Sequence, residues 1–335
     1  MTEFTNNLHE DIKLYLSDSV QLLLNFLTNQ TFSKEVRYWA LMALGAIESS
    51  AEKKILPYQE TILKTLYDTI INPSTGPGEI TVRGQALMCA GQLASAVGKD
   101  KFPKECIEVF TKVALEFLAM DKFELRETAI SYFAELVRIL KDEMAPIINT
   151  VLDEILKSCK SDAGFQEEHA KKSKDAFSLD SDSEDENQAS LVGMNVDVNF
   201  IDEKSAAVHA LGNIGLFCGG LILPRMQEIV DVLGEIGDYF HENIRYHVCM
   251  TYLQIAVGLL RHYTGSHEKF PWVKGLPAKV DIPPGVREYL DSVVFPHYYQ
   301  IFETEDNKEV IEKTLECLRE ACEMFGPAAI APHMD

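Results

Sequence analysis

The chain has 335 residues, 46% of them hydrophobic, and 52 Asp plus Glu against 31 Lys plus Arg, for a formal charge of −21. That charge disfavours nucleic acid and anionic membranes, whose phosphates it repels, and makes basic proteins the natural partners. No apolar run reaches the ~18 residues of a bilayer span, "MTEFTNNLHED" has no leader pattern, and seven scattered cysteines form no disulfide framework, so a soluble intracellular protein is expected.

Apolar periodicity and proline punctuation predict six helix pairs in chain order. First helices (A) are expected at about 8–28, 54–72, 102–119, 143–160, 222–236 and 285–302. Second helices (B) are expected at about 33–49, 79–97, 122–140, 201–218, 240–262 and 306–325. Five blocks within the B helices align without gaps: "VRYWALMALG" at Val36, "VRGQALMCAG" at Val82, "LRETAISYFA" at Leu125, "EKSAAVHALG" at Glu203 and "IRYHVCMTYL" at Ile244. Their steps are 46, 43, 78 and 41 residues, and Pro57, Pro103, Pro146 and Pro224 repeat at 46, 43 and 78, expected in the first turn of each A helix. Three steps match the roughly 40–47 residues of a two-helix HEAT or armadillo unit. The 78-residue step is one such unit plus an insertion, expected as a loop over 162–199 inside the fourth unit. A second, Pro/Gly-rich loop is expected over 264–284. The fold class expected is all-α: one α-solenoid over 1–335 of about six HEAT repeats, a piece of a longer array.

In such an array the B helices line the concave side. One B-helix face is an apolar core stripe (Val36, Ala40, Ala43, Leu44, Ile47) and a second is largely polar. The second face supplies the candidate ligand-binding residues: Tyr38, Gln92, Glu127, Glu135, Asn213, Tyr246 and Gln254. In the last B helix it supplies Glu312, Glu316, Glu320 and Glu323, whose mutual repulsion a basic ligand would relieve. The arginine opening each block (Arg37, Arg83, Arg126, Arg245) reads as a structural ladder to turn acids such as Asp121 or to nearby carbonyls.

The insertion holds "SLDSDSEDEN" at 178–187, with acids Asp180, Asp182, Glu184, Asp185 and Glu186, beside the basic "HAKKSKD" at 169–175. This composition is too polar to fold alone. Ser181 and Ser183 each have an acid three residues on, which makes them candidate phosphorylation sites for acidophilic kinases. Catalytic motifs fail: "HENIRYH" has Arg245 where a zincin helix needs its second His, "NPSTGPGE" lacks GK[ST], and Cys317 and Cys322 lack metal spacing. No metal, cofactor or enzyme activity is expected.

The order "VRYWALMALGAIESSAEKKILPY", "VRGQALMCAGQLASAVGKDKF", an acidic insertion, then "NVDVNFIDEKSAAVHALGNIG" resembles the central repeats of a β-karyopherin of the importin-β superfamily, over essentially the whole chain. The resemblance implies a nuclear import receptor that carries basic cargo, notably histones and ribosomal proteins, binds FG nucleoporins and releases cargo to RanGTP. It also implies shuttling between cytoplasm and nucleus. Much of the Ran site in that family lies on N-terminal repeats outside this stretch. The competing expectation is a HEAT scaffold that organises another enzyme.

Overall fold

The computed structural model describes residues 12–29, 31–72, 76–162, 165–166, 195–265 and 281–333. Its helices are α1 (Ile12–Thr28), α2 (Lys34–Ala51), α3 (Gln59–Ile70), α4 (Pro77–Val97), α5 (Lys104–Leu118), α6 (Phe123–Leu140), α7 (Ile148–Lys160) and α8 (Val198–Phe217). They continue as α9 (Gly219–Ile222), α10 (Met226–Ile236), α11 (Glu242–Thr264), α12 (Pro284–Tyr289), α13 (Phe295–Thr304), α14 (Lys308–Phe325) and α15 (Pro327–Ile330). The B helices α2, α4, α6, α8, α11 and α14 pack in sequence as one row, and the A helices form a second layer against it. The result is the expected all-α solenoid of six units.

Side-chain caps begin several B helices: the Ser33 hydroxyl accepts from the Val36 amide, the Asp197 carboxylate from Asn199, and the Asn307 carbonyl from Glu309 and Val310. Five of the six B helices end on a residue with positive φ, and α8 ends on Cys218 without it. Glycine supplies it at Gly98 (φ 83°), Gly265 (φ 65°) and Gly326 (φ 80°), whereas Glu52 (φ 47°) and Lys141 (φ 50°) adopt it with a side chain and carry the strain.

The prolines sit one step earlier than expected. Pro57 and Pro224 lie in 3₁₀ turns (Glu52–Tyr58, Leu223–Arg225), Pro103 is the cap residue of α5, and Pro146 precedes α7. A ring without an N–H fits a tight turn feeding a helix as well as the first α-turn itself. The last A helix is interrupted by a π-helical turn, Leu290–Val294, directly ahead of Pro296, whose missing donor breaks the α ladder there. The 162–199 insertion is shorter than expected at its C-terminal end, because α8 already begins at Val198. Antiparallel pairing of β1 (Phe165–Gln166) with β2 (Asn195–Val196) joins its two ends. Within 264–284, Thr264 still belongs to α11 and Pro284 opens α12.

The core runs continuously between the layers, through fully buried residues such as Leu41, Leu66, Leu87, Ile130, Phe133, Val151, Leu211 and Ile255. Each such side chain contributes on the order of 1.5–3 kcal/mol. Neighbouring B helices also interlock through a small residue and a polar one. A Cβ on Gly45 would collide with the Gln92 amide, and one on Gly212 with the Gln254 amide. A Cβ on Gly91 would press first on the Tyr132 backbone and ring at 3.2 Å and then on the Glu135 Cβ at 3.4 Å, and the Asn213 amide donates to the Ala134 carbonyl at 3.2 Å.

The arginine ladder is structural, but its acids come from the next unit instead of from Asp121. Arg37 pairs with Glu79 (2.9 Å), Arg126 with Glu203 (2.9 Å) and Glu154 (3.0 Å), and Arg245 with Glu305 (2.6 Å). The carbonyl partners lie at A-helix ends, Ile70 for Arg83 and Leu118 for Arg126, or in the turn that follows, Tyr239 and Phe240 for Arg245. Lys204 fills the same slot in the fourth unit and donates to the Cys159 carbonyl at 2.6 Å.

Candidate functional site: an acidic groove on the B-helix face

The N-terminal ends of α2, α4, α6 and α8 frame a groove of about 570 Å³. Lys34, Glu35, Tyr38, Trp39 and Met42 contribute from α2, Gln85 and Met88 from α4, Glu124 and Glu127 from α6, and Asn199 and Asp202 from α8. Tyr38 and Trp39 meet edge to face (centroids 5.4 Å, 82°), and Trp39 is 65% exposed.

Of the groove's four carboxylates, Glu35 is exposed and held below the usual carboxylate range by the Ser33 hydroxyl, its own backbone amide and the Lys34 ammonium, whereas Glu124, Glu127 and Asp202 have little to neutralise them. Lys34 is drawn to Glu79 (3.5 Å), and among the described residues no lysine or arginine forms an ion pair with Glu35, Glu124, Glu127 or Asp202. Burial, then the fields of Asp202, Glu124 and Glu203, push the Glu127 carboxyl up to about 7. Burial also raises Asp202, against the pull of His241. Tyr38 is raised by burial and by the same carboxylates. Such a site is suited to a cation: an ammonium or guanidinium restores charge balance, while Tyr38, Trp39, Met42 and Met88 cover its aliphatic stem.

The candidate residues divide among several places. Tyr38 and Glu127 are in this groove. Gln92 and Glu135 line a smaller cleft of about 260 Å³ near the other end of the same helices, with Lys53 and Arg138. Gln254, Glu316 and Glu320 share a third cleft of about 170 Å³ with Lys313 and Arg319. Tyr246 is covered by the Lys313 ammonium, 5.0 Å from its ring. Asn213 is a correction: it is 4% exposed, its amide is committed to Ala134, and it presents nothing to a ligand. The glutamates of α14 are less bare than expected, since Glu312 pairs with Lys308 (3.3 Å) and Glu316 with Lys313 (2.5 Å), Glu320 feels Arg261, and Glu323 is half-buried. The acidic run, Ser181 and Ser183 lie outside the described residues.

Glu35, Glu124 and Asp202 were missed, although they leave a signal in the sequence. All three stand one residue ahead of their aligned blocks at Val36, Leu125 and Glu203, so one column of the repeat alignment holds three acids.

Among the described residues no His, Cys, Asp and Glu cluster has metal-binding geometry, and no single helix is long and apolar enough to cross a membrane. No protein-family model matches the chain. It is similar to the probable importin subunit beta-4 of Schizosaccharomyces pombe, 24% identical over 272 residues that cover 77% of this chain and 24% of that protein. It is similar to importin-4 of Homo sapiens, 24% identical over 317 residues that cover 90% of this chain and 28% of that protein. In fold it matches Kap121p, solved bound to Pho4p, with a TM-score of 0.60 at 17% identity over 96% of this chain and 28% of that one. Kap121p has also been solved bound to Nup53p. The relatives are transport receptors, not enzymes. The chain spans about a quarter of the length of the curated relatives it matches. In fold the chain is a repeat solenoid of the kind seen in Kap121p, and in sequence it is similar to importins over most of its length.

Proposed function

We propose that this segment binds basic protein cargo for a nuclear import receptor, and that the groove across α2, α4, α6 and α8 is where a lysine- or arginine-rich segment is held. The observation that supports this reading best is Glu127: a half-buried carboxyl facing two further acids without a cation, beside two aromatic rings. Bare acids in a partly desolvated groove destabilise the empty site, and a cation in it converts that cost into affinity. Histone tails and ribosomal proteins have the charge and extended form to fit. In the intact receptor, FG nucleoporins and RanGTP complete the cycle and the protein moves between cytoplasm and nucleus; the α14 glutamates and the acidic insertion serve as secondary attractants for the same cargo.

The test is titration of a lysine-rich histone-tail peptide at low ionic strength into the wild-type chain, Glu127→Lys with Asp202→Lys, and a control reversing Glu60 and Glu108 on the A-helix side. Micromolar or tighter binding, lost in the groove variant and kept in the control, is expected. Equal losses in both variants, or no binding by the wild type, would falsify the assignment.

A further inference from the structure

Five of the six units connect their A and B helices by turns of three to six residues, as between α5 and α6 or α13 and α14. Such a turn fixes how the second helix sits on the first. The fourth unit has no such turn: α7 ends at Lys160, α8 begins at Val198, and between them the two-residue pairing of β1 with β2 is the described link. Yet α8 supplies Asp202 to the groove and has to face Glu127 of α6 at a set spacing.

A buried polar knot stands at this junction. Arg126 of α6 is 7% exposed. Its Nε donates to Glu203 of α8 (2.9 Å), its Nη1 to Glu154 of α7 (3.0 Å) and to the Leu118 carbonyl that ends α5, and its Nη2 to the Ser158 hydroxyl of α7 (2.9 Å). Ser158 in turn donates to Glu203. Beside it Lys204, 1% exposed, donates to the Cys159 carbonyl (2.6 Å), with its ammonium over the rings of Tyr239 (4.8 Å) and Phe200 (5.5 Å). One planar guanidinium thus ties α5, α6, α7 and α8 together. The residues that tie are chain neighbours of those that face the groove: Glu127 follows Arg126, and Asp202 precedes Glu203. Buried ion pairs add little net stability over apolar packing, but they fix geometry, and breaking one strands a charge.

We propose that Arg126 and Glu203 are positioning residues for the groove: their knot replaces the missing turn of the fourth unit and holds Glu127 and Asp202 in register. The proposal deepens the cargo-binding reading and rests on it for its ligand arm.

The test compares two backgrounds. In one, the chain is intact. In the other, residues 167–194 are replaced by Asn-Gly, which closes β1 and β2, paired at Gln166 and Asn195, into a two-residue hairpin and shortens the connection between α7 and α8 from 37 residues to 11. Arg126→Met, Arg126→Lys and Glu203→Gln are made in each. Ligand-free hydrogen exchange of the first two turns of α8 and affinity for the lysine-rich peptide are measured. In the intact chain the Met and Gln variants are expected to speed exchange in α8, with α2 and α4 unchanged, and to weaken the peptide, each by about tenfold. In the short-connection chain the same changes are expected to cost less than about threefold, and Arg126→Lys, which keeps the charge but reaches fewer acceptors, should fall between in both. Equal losses in the two backgrounds, or unchanged exchange in α8, would overturn the proposal. Should Arg126→Met not fold, Glu203→Gln decides, because it keeps the shape and removes the charge. A wild type that ignores the peptide overturns the groove reading and leaves the exchange comparison to decide the knot.

Discussion

Glu127 and Glu316 are both glutamates on B-helix faces, two and six residues into equivalent stretches of the repeat, and their circumstances are opposite. Glu127 is partly buried among other acids and its carboxyl is pushed up to about 7. Glu316 is solvated, and the hydrogen bond from Lys313 holds it below the usual carboxylate range. The α14 helix brings its own counter-ions, spaced at i,i+3 and i,i+4, whereas the groove draws its acids from three helices and its one lysine is diverted to Glu79. Counting acids along a face therefore overstates α14 and understates the groove. What matters is whether a neutralising partner lies within reach on the same or the next unit.

The sharpest way to break this comparison is charge reversal in both regions. Glu127→Lys with Asp202→Lys is expected to weaken a lysine-rich peptide by at least about tenfold, and Glu312→Lys with Glu316→Lys by less than about threefold, measured by calorimetry at low salt. A larger loss from the α14 pair would invert the assignment.

A second acid tests the burial argument away from any ligand. Glu48 is fully buried between α2 and α4, one oxygen accepting from the Cys89 thiol (3.2 Å) and the other without a partner, and burial raises its carboxyl well above normal. The folded state keeps its proton while the unfolded chain releases it above about pH 4.5, so this group lowers stability as pH rises past that value. Glu48→Met is expected to raise unfolding stability at pH 7 by about 1–3 kcal/mol, with a smaller gain at pH 4.5, by urea denaturation. No gain at neutral pH would mean the carboxyl is satisfied in solution.

Protonation also separates the two regions. With Glu127 titrating near 7, peptide affinity should climb by up to about tenfold from pH 6 to pH 8 as the carboxyl ionises, and Glu127→Gln should flatten the climb. The same shift has the opposite sign for folding, since stability from the protonated group is lost as pH rises from about 4.5 through 7. A climb that survives Glu127→Gln would assign the proton elsewhere.

Smaller effects sharpen the picture. Lys141→Gly relieves a left-handed side-chain residue and is expected to add up to about 1 kcal/mol, read as a higher urea midpoint. Lys313→Ala frees Glu316 and uncovers Tyr246. It should leave the melting temperature unchanged and raise peptide affinity by no more than about twofold. A gain beyond that would show that pairing alone had silenced the α14 stripe.

The repeat itself was legible because its marks are local. Apolar period reported six helix pairs, five aligned blocks and four spaced prolines gave their step, and the arginine ladder announced itself by recurrence. What the sequence hid depends on a second helix. Asn213 reads as a free amide until Ala134 of the preceding unit is placed against it. Arg126 reads as one more rung until Glu203, 77 residues on, closes on it. Glu35, Glu124 and Asp202 were visible as a column, but one that lies ahead of the aligned blocks, three residues before the open-face stripe begins at Tyr38 and Glu127.

The interlocks between B helices have a consequence for how such a sequence can drift. Gly45 faces Gln92, Gly91 faces Glu135, Gly212 faces Gln254, and Ala134 faces Asn213. Glutamine and glutamate have the same heavy-atom skeleton, and alanine with asparagine contains as many heavy side-chain atoms as glycine with glutamine. The carbon gained on one helix is given up on the next, so across these four pairs the number of heavy side-chain atoms is constant while its division is not. Substitutions at these pairs should therefore be compensatory: in an alignment of relatives, alanine at position 45 or 212 is expected to co-occur with asparagine or aspartate at position 92 or 254.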